Sequence, residues 1–145
     1  MKKIALLLPF LLLFISCKPS FVRINPESAD KAQMNKAYDL GKRLSESCHT
    51  SKFKKFSTSE ATPKVINGIT PDKLLAICNK IRQEYGNFID MELIEVIHLK
   101  SSNENVYRFK AKYHKNRGIK EVRVTMNSDN KASAINSKVW KDEYE

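Results

Sequence analysis

The sequence predicts an α+β fold, with helices first and then hairpin-connected strands that form a curved antiparallel sheet of about four strands covered on one face by the helices. Three observations carry this. Ala37, Leu40, Gly41, Leu44 and Cys48 recur at the spacing of one helical face, and Leu74, Ile77, Cys78, Ile81 and Tyr85 repeat it. After Gly86 the period changes to two, and Tyr107, Phe109, Ala111 and Tyr113 alternate with Arg108, Lys110, Lys112 and His114. Asn116-Arg117-Gly118 and Ser128-Asp129-Asn130 then punctuate the alternating runs as turns.

The elements follow in order. Two lysines, an apolar run over residues 4–15 and Ser16 precede Cys17. The run is too short to span a bilayer and has the form of an export signal. Its ending, Phe14-Ile15-Ser16-Cys17, resembles a bacterial lipoprotein signal. The resemblance implies that residues 1–16 are cleaved as a signal peptide and that Cys17 carries acyl chains such as palmitate. It places the protein in the bacterial cell envelope, lipid-anchored to a membrane, at the outer membrane or the periplasmic face. Residues 17–30 hold Pro19 and Pro26 without a clear period and read as the lipidated cysteine and a tether, leaving 31–145 as a single domain.

A helix is predicted over about residues 28–49, with Gly41 on its buried stripe permitting close approach of a neighbour. Phe53 and Phe56, set among lysines, read as rings that plug the core. Thr62-Pro63 and Thr70-Pro71 are helix starts, and Asn67-Gly68 and Gly86 are stops. The second start opens the clearest helix, residues 71–85, whose stripe faces that of the first. Strands are expected over 88–100, 105–115, 119–127 and 132–140, followed by the charged tail KDEYE.

The chain of 145 residues has a formal net charge of +10. Loss of Lys2 and Lys3 with the signal lowers this to about +8. The excess is mostly lysine, which suits bidentate phosphate recognition less than arginine does. For an exported, anchored protein the charge either points to anionic headgroups, envelope glycans or an acidic envelope protein rather than nucleic acid, or is a solvated surface that keeps a small domain soluble. Cys48 and Cys78 are an even pair outside the cytoplasm: they form either a disulfide or two buried thiols.

The helix ending near SESCHTSKFKKF, the ITPDKLLAICNKI helix closing at EYGNF, and the strand pair VYRFKAKY and KEVRVTMNSDNKASAI resemble a cystatin-like, nuclear-transport-factor-two-like cone domain of the kind found on bacterial lipoproteins. The resemblance implies a curved sheet wrapped on helices, a pocket within the cone, and a monomer or homodimer.

Candidate sites are few. Tyr107, Phe109 and Tyr113 line a cone pocket or simply fill the core. Arg108, Lys110, Lys112 and Arg123 form a basic sheet face for an acidic partner, or a solvated one. Asp90, Glu92, Glu95 and His98 lie on the first predicted strand, where Glu92, Ile94, Val96 and His98 share parity. A His98–carboxylate pair would do acid–base work, or is simply a surface pair. His49 and His114 have no ligand-spaced partner, so no metal or cofactor is expected. No nucleophile motif or phosphate-binding glycine loop is present, and the chain has four glycines in all. The sequence thus predicts a noncatalytic, lipid-anchored envelope module that binds a partner, a glycan or a small apolar ligand. The alternative is a small hydrolase or isomerase built on His98.

Overall fold

A computed structural model of the protein describes residues 20–145. The signal segment and Cys17 lie outside the described residues. The order is β1 (Phe21–Ile24), a 3-10 turn at Pro26–Ser28, α1 (Lys31–Thr50), α2 (Pro63–Gly68), α3 (Pro71–Tyr85), β2 (Phe88–Leu99), β3 (Glu104–Tyr113), β4 (Lys120–Met126) and β5 (Ala132–Val139). The five strands pair antiparallel in sequence order as one open sheet.

The fifth strand revises the tether. Residues 21–24 pair with β2 from Phe21 opposite Leu99 to Ile24 opposite Val96, so the domain begins before residue 31. Four residues give too few alternations to mark a strand, and Pro26 ends the run.

Local chemistry sets the helix ends. The Asp30 carboxylate accepts from the Ala32 and Gln33 amides at the start of α1. Thr70 caps α3 ahead of Pro71, and Gly86 ends it at φ 78°, where a side chain would be strained.

The core lies between α1 and the inner face of the sheet. Tyr107 and Phe109 of β3 stand opposite Val124 and Val122 of β4, and all four are buried. A one-residue slip would bury the lysines instead, so this register is strongly fixed. Gly41 is the point of closest approach: a Cβ there would meet Met91 Cε at 2.9 Å, Val122 Cγ1 at 3.1 Å and Val124 Cγ2 at 3.2 Å. Phe56 is buried and meets Phe53 edge to face at 5.3 Å between ring centres. Cys48 of α1 and Cys78 of α3 are joined by a disulfide, with their Cα atoms 4.6 Å apart.

Candidate functional site

The stripe of α3 does not close on α1. The disulfide brings the helices together, yet Ile77 is 55% exposed, and within the stripe only Cys78 and Tyr85 are buried. An open cleft of about 390 Å³ remains between α3 and the sheet. Leu74, Ile77 and Ile81 form one wall, and Leu44, Val122 and Ile135 line the other side with Tyr113. Its volume is in the range of small-molecule sites. Among the described residues, Lys73 is the only charged one lining it. Burial pushes the Tyr113 phenol up to about 12, so it stays neutral in the physiological range. A second hollow of about 310 Å³ lies beside it, lined by Phe53, Pro71, Leu74, Leu75 and the two cysteines. The disulfide forms part of the partition between the hollows, because Cys48 borders both.

The expected pocket residues separate. Tyr107 and Phe109 are core, with 0% and 1% exposure, whereas Tyr113 reaches the cleft. The Tyr107 hydroxyl instead donates to Gln33 Oε1 at 2.8 Å, and Asn105 Nδ2 donates to the same oxygen at 2.9 Å. Most of the other lining residues come from α1, α3 and the α2–α3 junction, which no strand alternation could group with Tyr113.

The expected basic face is also corrected. Arg108 has no exposed surface, and the Arg123 side chain is only 11% exposed. Lys110 is half-buried with its ammonium 4.6 Å from the Trp140 ring centre, and Lys112 alone of the four stands exposed. Glu95 of β2 and Glu121 of β4 lie among the arginines. Arg108 grips Glu121 through Nε and Nη2 at 3.0 and 3.1 Å and also pairs with Glu95, while Arg123 Nε holds Glu121 at 2.7 Å. Residues 140–145 fold over this ladder. The face is therefore consumed by counter-charge and covered.

His98 and the three carboxylates do not form one site. A bulge between Leu93 and Glu95 adds a residue to β2, so parity is lost there. Glu92 sits opposite Lys110 on the outer face, whereas His98 stands opposite Asn105. His98 Nδ1 lies 2.9 Å from Asn105 Oδ1, an amide rather than a carboxylate. Glu95 is engaged by Arg23 and Arg108. Asp90 accepts from the Tyr38 hydroxyl at 2.6 Å, which holds its pKa below the ordinary carboxylate value. Among the described residues, no group of three or more His, Cys, Asp or Glu is placed to hold a metal ion. Among them also, no helix is long and apolar enough to cross a membrane.

No family model, no curated protein and no solved structure matches this chain.

Proposed function

We propose that the protein is a lipid-anchored, noncatalytic module of the bacterial envelope that holds a small apolar ligand in the cleft under α3. The observation that supports this is the cleft itself: three large apolar side chains of one helix are left facing open space, and among the described residues its lining includes no carboxylate or histidine. Exposed apolar surface of this kind is costly to leave in water and marks a ligand or partner site. Lys73, exposed beside the opening, suits an anionic head on the ligand. The Phe14-Ile15-Ser16-Cys17 ending supports the anchor.

A fluorescent long-chain fatty acid tests the reading. The wild-type protein binds it, and Ile77→Glu weakens binding by about tenfold or more because a carboxylate is placed in the apolar wall. That site is half-exposed, so the fold tolerates the change. Equal binding by Ile77→Glu would remove the cleft from the hypothesis. Cys17→Ser tests the anchor separately: the protein leaves the membrane fraction or accumulates as precursor, and unchanged cleavage and sedimentation would refute it.

A further inference from the structure

The other side of the sheet carries a second arrangement, independent of the cleft. Across its outer face run Arg23 of β1, Glu95 of β2, Arg108 of β3 and then Glu121 and Arg123 of β4, three guanidiniums against two carboxylates. Residues 140–145 lie on them as a strap without regular secondary structure. The contacts are those of a ligand in a groove. The Trp140 ring centre lies 4.5 Å from the Arg108 guanidinium, and the Tyr144 ring centre lies 4.6 Å from that of Arg123. Arg108 Nη2 donates to the Lys141 carbonyl oxygen at 2.6 Å, and Arg123 Nη1 to the Glu145 oxygen at 3.0 Å. Glu143 reaches Arg23 at 3.2 Å, and the Tyr144 ring meets Phe21 edge to face at 5.0 Å. Two aromatic residues four apart thus cap two arginines, backbone oxygens accept hydrogen bonds from the guanidiniums, and a carboxylate supplies the missing negative charge.

Two features make the strap exchangeable. Its ion pair to the sheet is exposed: the Arg23 and Glu143 side chains are 51% and 84% accessible. Such pairs hold a segment weakly. The groove also keeps a donor in reserve, since Arg123 Nη2 is buried with no acceptor among the described residues. A buried guanidinium nitrogen left unpaired favours any segment that brings it an oxygen.

We propose that the outer face is a binding groove for an acidic segment of a partner protein, with aromatic residues four positions apart. Residues 140–145 fill it in cis. The strap lowers apparent affinity by the fraction of molecules in which it is lifted, so occupancy in trans requires its displacement.

The test uses the full chain and a labelled peptide, Trp-Lys-Asp-Glu-Tyr-Glu. By fluorescence anisotropy, Tyr144→Ala binds the peptide about tenfold or more tighter than the wild type, because the cis competitor is weakened. Binding falls at high salt, and a peptide with adjacent Trp and Tyr does not replace it. No binding to a folded Tyr144→Ala chain overturns the proposal. Should that variant fail to fold, the wild-type chain still decides. Trp140 is its only tryptophan. Excess tryptophan-free peptide, with Phe in the first position, lifts the strap and raises collisional quenching of Trp140. Unchanged quenching at saturating peptide overturns the proposal. A concentration-dependent dimer of the wild type, dissolved by the peptide, would overturn the partner assignment and give the groove to a second copy's strap.

Discussion

Glu121 is a carboxylate with no exposed surface, held between Arg108 and Arg123. Burial alone would raise its pKa. Hydrogen bonds from the two guanidiniums outweigh burial and hold it below the ordinary 4.5. A carboxylate depressed in the folded state stabilises the protein fully above its unfolded pKa. That contribution is lost as pH falls through the folded value. Thermal unfolding followed between about pH 3 and 7 therefore shows a plateau near neutrality and a decline below about pH 4.5. Glu121→Gln lowers neutral stability by about 3–5 kcal/mol, because it leaves two buried arginines short of a counter-charge, and it flattens the acid limb. Parallel curves for the two proteins would show that Glu121 is not the titrating group.

The disulfide is what fixes α3. It closes a separation of 30 residues between Cys48 and Cys78, worth about 3–4 kcal/mol in the chain-entropy model. Removing it by Cys48→Ala with Cys78→Ala lowers stability by that order and speeds amide exchange over residues 71–85, while β3 and β4 keep their protection. Uniform exchange across helix and sheet would show that α3 is held by packing instead. The helix α3 was legible because its signals are local: Thr70-Pro71 and Gly86 act within one turn of the residues they cap. The β3–β4 pairing was legible because alternation ties Phe109 and Val122 to one face. The β2 bulge was not, since an inserted residue breaks parity without a compositional mark. The cleft was half legible: the sequence names the stripe of α3, but only the tertiary arrangement shows that α1 covers too little of it. KDEYE reads only as a charged tail because its complement, the arginine row, comes from three separate strands.

At the scale of the whole molecule, one sheet carries two unlike surfaces. The inner face is an apolar cleft beside α3, and the outer is a charge ladder beneath the strap, so a change on one leaves the chemistry of the other intact. The sheet is also uneven in how far apart along the chain its strands lie. β2 to β5 follow one another through short turns, whereas β1 reaches β2 across the whole helical layer, with Arg23 and Glu95 72 positions apart. Bringing such distant segments together costs closure entropy that neighbouring hairpins avoid. β1 is then the last strand to dock and the first to leave. Ile24, partly buried against the core, reports on this. Ile24→Ala costs about 2 kcal/mol, and it appears almost wholly as faster unfolding, with the refolding rate little changed. Stopped-flow chevrons measure both limbs. A refolding rate slowed in proportion to the stability lost would instead place β1 in the folding nucleus.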